Sequence, residues 1–408
     1  MLRVLKFKCE KRAKGGALEK GNVASIGGEQ IDDEGNILWD EMKFIPEDFY
    51  DFLKQGKVNL GDVLLVKDGA TTGKVAIVKN LKYEKVAVNE HVFIIRGKKR
   101  QLTNEFLFYF LFSKFGQIQI KTRFHGLIGG IIRSDLETIL MPLPPLIEQQ
   151  KIAEILSNVD EAIQKTNEII AKTERLKKGL MQELLTKGIG HKEFKDTEIG
   201  RIPKEWEVVK LGELAVEVYR YPTYYNIKYV GANEGVPEVR GELIKENGEL
   251  EENLSEYRFI SKETSQRFPK TILQEGDFVL SVRGTMGKVA IVPKFLEGAN
   301  ITANLMKVSL DRLKCYPPFF KQVFLSDFFR KTLNNISSRT TIKTVQAPRL
   351  KSIKMSLPPL HEQKRIAEIL SNVDKKLEIE RNEKAKLEKI KQGLMDLLLT
   401  GKIRVKVT

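Results

Sequence analysis

Four histidines, two cysteines and one glycine-rich turn are the residues of this chain whose types could do chemistry. The turn is "DGATTGK", from Asp68 to Lys74. It has the glycines and the lysine of a loop that cradles phosphate. Such a loop needs four residues between its first glycine and the Gly-Lys pair, then Ser or Thr for a magnesium ion. Here three residues separate Gly69 from Gly73, and Val75 follows Lys74. A related stretch from Arg283, "RGTMGKV", is shorter still, so both read as hairpin turns. His91, His125, His191 and His361 are scattered and make no metal-ligand spacing. Cys9 and Cys315 make none either, and a reduced, cytoplasmic setting suits two unpaired thiols.

Other constellations fail in the same way. "YPPF" at Tyr316 has the shape of the tetrapeptide with which amino-methyltransferases hold a target amine. Those enzymes place Asn, Asp or Ser first, because an acceptor must receive the amine's hydrogens. Tyr316 is a poor substitute, no glycine-rich cofactor strand precedes it, and a Pro-Pro helix start accounts for the motif. The carboxylates fall mostly in helical charge patterns with lysine, which are solvated faces. What remains is the chemistry of charge. Sixty-nine Lys plus Arg face 54 Asp plus Glu, a formal +15 with a pI near 9.4. That surplus attracts polyanions, of which nucleic acid is the commonest large one in a cytoplasm. The longest apolar run, "FLFYFLF" from Phe106, is too short to span a bilayer, and no apolar signal core follows the basic N-terminus.

The elements that must position these residues are written twice. "LPPLIEQQKIAEILSNVD" from Leu143 returns as "LPPLHEQKRIAEILSNVD" from Leu357. Between Met141–Ile189 and Met355–Ile403 the copies align without a gap, and 27 of 49 positions are identical. Upstream, "GDVLLVKDGATTGKVAIV" from Gly61 matches "GDFVLSVRGTMGKVAIV" from Gly276, each a β-branched run, a turn and a second run. An aromatic segment with helical spacing follows in each half, and a helix backing the hairpin's sheet accounts for it. "TKGIGHKEFKDTEIGRIPKEWEVVK" reads as a polar linker. "IPKEW" at Ile202 has no partner in the first half.

The repeated segments read as long helices. The paired prolines suit a helix start, and no proline follows Pro145 until Pro203 or follows Pro359 at all. In the first copy Ile152, Ile155, Val159, Ala162, Thr166, Ile169, Thr173, Leu176 and Leu180 recur at the 3-4 spacing of a coiled-coil seam. In the second copy Lys376, Glu380 and Glu383 fall on that phase, leaving Leu377, Leu387, Ile390 and Leu394 to carry it. Ser157 with Asp160, and Ser371 with Asp374, fit capping boxes, so each helix is expected to bend or restart there. The fold expected is α+β, with two α/β globular domains separated by two long helices. Those helices form an antiparallel coiled coil with a pseudo-twofold internal repeat. The segments are 1–140, 141–190, 191–354 (linker and second globular domain) and 355–408.

On the doubled "LPPL.EQ..IAEIL", the two hairpins and "IGRIPKEW", the chain resembles the specificity subunit of type I restriction–modification systems over nearly its whole length. The first half lacks an "IP.EW" segment. The resemblance implies that each globular domain is a target-recognition domain reading one half of an asymmetric bipartite DNA site. It implies that the helices set the spacer and dock modification (methyltransferase) subunits, usually two, with restriction (motor-nuclease) subunits joining them. It further implies a non-catalytic chain without cofactor, S-adenosylmethionine, ATP and magnesium belonging to the partners. A rod of about 26 residues spans about 39 Å at ~1.5 Å per residue. Half-sites on one face of double-stranded DNA recur every ~34–36 Å.

Base and phosphate contacts need donors carried to the duplex. In the first head the candidates are Lys67 and Lys74 beside the hairpin turn, with Arg123, His125 and Arg133 before the long helix. In the second they are Arg220, Tyr221, Tyr224 and Tyr225 in "YRYPTYYN", with Arg283, Lys288, Arg339 and Lys343. The alternative is a protein scaffold that assembles partners through its coiled coil and binds no DNA. A methyltransferase or nuclease activity in this chain is set aside for want of motifs.

Overall fold

The computed structural model describes residues 2–5, 18–126, 129–220, 227–283, 286–337 and 344–406. It separates into two compact units. One comprises residues 1–168 and 381–408, the other residues 169–380.

The first unit contains strands β1 (Leu2–Leu5), β2 (Val23–Ile26), β3 (Lys43–Ile45), β4 (Val63–Val66), β5 (Val75–Ile77), β6 (Lys85–Val88) and β7 (Val92–Gly97), with helix α1 (Glu47–Phe52) between β3 and β4. They form an antiparallel sheet ordered β1-β7-β4-β5 and a second sheet ordered β3-β2-β6. Helices α2 (Asn104–Phe112), α3 (Lys114–Lys121) and α4 (Arg133–Glu137) follow, and α5 (Leu146–Lys187) begins. β4 reads "VLLV" without alternation because both its faces are covered. Val63 and Leu65 pack with Phe106, Phe108 and Phe110 of α2, while Leu64 and Val66 pack against β2 and β6. The aromatic run is therefore a core helix, as its spacing suggests.

The second unit repeats this build. Its strands are β8 (Phe194–Thr197), β9 (Gly200–Pro203), β10 (Glu207–Lys210), β11 (Ala215–Arg220), β12 (Tyr229–Val230), β13 (Gly235–Val239), β14 (Arg258–Ser261), β15 (Phe278–Ser281), β16 (Val289–Ile291), β17 (Asn300–Ile301), β18 (Leu305–Leu310) and β19 (Lys354–Leu357). Its helices are α6 (Leu211–Leu214), α7 (Lys262–Arg267), α8 (Pro317–Leu325), α9 (Asp327–Ile336) and α10 (Ala347–Lys351), and α11 (Leu360–Leu398) closes the chain. The sheet β11-β18-β15-β16 matches the first unit's main sheet strand for strand, and β12-β14-β13-β17 matches the second with one strand added. Tyr316 caps a helix whose first turn is Pro317–Pro318. The stretch expected to be a linker is structured. β8 pairs with β9, β10 pairs with β19, and Trp206 between them is fully buried.

Each unit also holds an antiparallel pair of helix segments. In the first, Asp160 of α5 meets Lys391 of α11 at 2.5 Å. In the second, Lys177 of α5 meets Asp374 of α11 at 2.6 Å. Two corrections apply to the helices. Neither restarts at Ser157 or Ser371, and α5 and α11 run through as single helices of 42 and 39 residues. The inward face is also shifted. Leu156, Thr166, Thr173 and Leu184 are buried, whereas Ile169 and Leu176, and Ile390 in the second copy, face solvent. The second position of each seam layer thus lies four residues after the first instead of three. A 3.5-residue period allows either choice, and Lys177 and Lys391 hold inward positions through ion pairs.

Candidate nucleic-acid interface

The two hairpins present related turns. Gly73 and its counterpart Gly287 both adopt φ +90°, a conformation that only glycine takes readily. The tight turn lifts the flanking side chains to the rim of the main sheet. On the second head, Arg220 leaves the end of β11 and donates through Nε to the carbonyl of Ala303 and through Nη1 to the Thr344 hydroxyl, each at 3.2 Å. Arg283 opens the turn after β15, and its backbone bridges to Thr344. Burial, reinforced by the Arg283 charge, holds the Arg220 guanidinium below its usual value. Lys288 turns toward the Ile244 carbonyl at 3.4 Å and Glu246 at 3.9 Å. Tyr221, Tyr224, Tyr225, Arg339 and Lys343 lie outside the described residues.

The first head's candidates are held differently. Lys67 lies 3.4 Å from Asp68, whose carboxylate also takes a close contact from His91. Lys74 pairs with Asp33 at 2.9 Å and donates to the Ile31 carbonyl. Arg123 braces the segment before α4, donating to the Thr138 hydroxyl, the Thr138 carbonyl and the Gln119 carbonyl. His125 meets Asp135 at 3.0 Å, and Arg133 meets Glu137 at 3.0 Å. Lys67 and Lys74 thus share the hairpin turn, and Arg123, His125 and Arg133 share the pre-helix segment. All five already have internal partners.

Sequence reasoning passed over the residues that fasten each head to its helix pair. The Glu-Gln of the repeated motif is buried in both copies. Gln149 accepts from the Thr103 amide at the start of α2 and donates to the carbonyls of Gln101 and Pro144. Gln363 makes the same three bonds to Tyr316, Lys314 and Pro358. Glu148 receives a bidentate pair from Arg404 at 2.6 and 2.7 Å, and the Val405 amide. Glu362 receives the Ile189 amide, the Trp206 indole at 2.8 Å and lies 2.8 Å from the His191 ring. Three turns further along each long helix, Tyr109 donates to Asp160 and Gln322 to Asp374. Burial, then the Asp160 charge, raises the Tyr109 phenol, so it stays a donor. The signal was present. Two polar residues recurred unchanged beside the prolines at the head of an apolar helix, where a buried polar group needs partners.

Among the described residues no cluster of His, Cys, Asp and Glu fits a metal ion, and no helix is long and apolar enough to cross a membrane. Cys315 is buried, and burial pushes its thiol up to about 12, away from reactivity. The arrangement can bind and position.

Comparison with known proteins agrees with this build. Residues 9–175 and 203–389 each match the family model of the type I restriction modification DNA specificity domain. The chain is 34% identical over 355 residues to the type I restriction enzyme MjaVIII specificity subunit of Methanocaldococcus jannaschii, covering 86% of this chain and 80% of that one. It is 35% identical to the putative MjaX specificity subunit of the same organism, covering 85% and 79%. A type I restriction-modification S subunit from M. genitalium shares the fold, with a TM-score of 0.58, 14% identity and coverage of 100% and 94%. A chain from a type I R-M system solved for its complex assembly gives a TM-score of 0.56 at 18% identity, covering 93% and 92%. With both halves carrying the domain in sequence and in fold, the chain belongs to the family of type I restriction–modification DNA specificity proteins.

Proposed function

We propose that this chain is the non-catalytic DNA-specificity subunit of a type I restriction–modification complex. Each head reads one half of an asymmetric bipartite site in double-stranded DNA. The observation that carries this reading is the pairing of sameness and difference. Both heads are fastened to a helix pair by the same glutamine contacts, while the rims of the heads carry unlike side chains. Identical heads would suit a palindrome, and unlike heads suit two unlike half-sites. The paired helices set the spacer and dock methyltransferase subunits, two of them because the docking segments are duplicated. Motor-nuclease subunits complete the restriction enzyme, and S-adenosylmethionine, ATP and magnesium are held by these partners.

A direct test maps methylated positions in the host genome and repeats the map after inserting four residues near Thr173 and four near Leu377. The recognised spacer should lengthen with both half-sites kept. An altered half-site over an unaltered spacer would refute the ruler. Affinity for DNA should also fall steeply with salt, since counterion release makes log K linear in log salt. A flat response would favour a scaffold that binds only protein.

A further inference from the structure

We infer that Arg220 and Arg283 form a clamp on the second head for one backbone phosphate of the DNA, and that the first head has no such clamp. The inference rests on the DNA reading above. It starts from two guanidiniums brought to one place by three separate chain segments. Arg220 comes from the end of β11, Arg283 from the hairpin turn, and Thr344 from the strand-like return before α10. Thr344 ties them together, its hydroxyl accepting from Arg220 and its backbone bridging Arg283.

Both arginines are half-buried, and among the described residues neither stands in an ion pair. Elsewhere in the chain Arg96, Arg133, Arg240, Arg267 and Arg404 each face a carboxylate. Two like charges, partly desolvated and side by side, disfavour each other unless an anion joins them. A phosphodiester fits. It offers one negative charge spread over two oxygens, which matches the planar fork of guanidinium donors. Arg220 spends two of its five N–H groups on Ala303 and Thr344, and the rest remain for a ligand. A base edge fits less well. An arginine that reads bases extends into the groove, whereas Arg220 is tethered at the head's surface, where the sugar-phosphate chain passes.

The first head differs at the same place. The Lys67 amide donates to the His91 carbonyl just as the Val282 amide donates to the Asn304 carbonyl. That register sets Asp68 opposite Arg283 in the comparison. Asp68, already in contact with Lys67 and His91, would repel a phosphate there.

The test uses the full chain, a random-sequence 30-base-pair duplex and fluorescence anisotropy across a salt series. Random sequence removes base reading from the measurement. With Arg220→Gln and Arg283→Gln together, the slope of log K against log salt should fall by about 0.9, the share of one phosphate, and affinity at ~0.15 M salt about fivefold. Lysine at both positions keeps the charge and should keep the slope. Arg283→Gln alone, whose side chain holds no internal hydrogen bond among the described residues, covers the case in which the double variant does not fold. It should lose part of the slope. A slope unchanged in the glutamine variants overturns the clamp. So does a loss confined to the methylated target, which would make the pair base readers. If the unsubstituted chain shows no salt-dependent binding, the DNA reading fails first and the clamp falls with it.

Discussion

The two units share a scaffold and diverge at their rims and in their second layers. On the shared side, Gln149 and Gln363 make the same three hydrogen bonds, and Asp160–Lys391 answers Asp374–Lys177. On the other side, Ile94 packs in the first head's inter-sheet core, while its counterpart Lys307 is buried, pairing with Glu217 at 2.7 Å and donating to the Ile272 carbonyl. Arg96 clasps the buried Asp62 in the first head, where the second head has Ser309. The glutamate anchor lies between these extremes. Its carboxylate is kept and its donors are replaced, Arg404 and the Val405 amide in one unit, Trp206, His191 and the Ile189 amide in the other. A carboxylate buried at a helix start needs donors, and any set of adequate geometry satisfies it. The helix-facing residues are therefore constrained twice over by the same partner, and the rest of each head is free to specialise.

The largest expected effect comes from breaking the anchor in the second unit. Glu362→Ala would strand the Trp206 indole and the Ile189 amide without an acceptor, and should destabilise that unit by about 3 kcal/mol in urea unfolding. Glu148→Ala should do less, since its partner Arg404 is largely exposed and regains water. Equal losses would mean that the two anchors do the same work despite their different donors.

Next come the glutamines. Gln149→Ala and Gln363→Ala each remove three hydrogen bonds from a buried site, and each should cost about 2–3 kcal/mol. The comparison requires the two values to agree within about 0.5 kcal/mol. A wide disagreement would show that the heads, and not the shared contact, set the energetics there.

The smallest effect is one of pH. The Arg404 hydrogen bonds hold the Glu148 carboxyl below its ordinary value of 4.5. A carboxyl lowered on folding stabilises the folded form fully above its unfolded value, and the gain is lost as pH falls through the folded one. Arg404→Gln should therefore lower the first unit's unfolding midpoint near neutrality, with the gap closing as pH drops below about 4. A gap independent of pH would place the role of Arg404 in packing.

Much of this was legible in the sequence, and the particular residues show why the rest was not. The hairpins were visible because β-branched runs around a Gly/Thr turn are a local signal. The first aromatic helix was visible because seven apolar neighbours in a row, Phe106 to Phe112, cannot all face water. The restart expected at Ser157 does not occur because Asp160, read as a cap, spends its oxygens on Tyr109 and Lys391, from distant segments. Lys74 looked free because Asp33 is distant in sequence.

The sequence by itself determined that the chain is a doubled object with two long helices and unlike heads, since repetition and period are properties of a string. Only the tertiary structure decided which stripe of each helix turns inward and what the Glu-Gln pairs hold. It also decided which basic side chains keep donors to spare. Those choices rest on contacts between groups as far as 257 residues apart, and a local pattern carries no information about a partner that folding has yet to bring near.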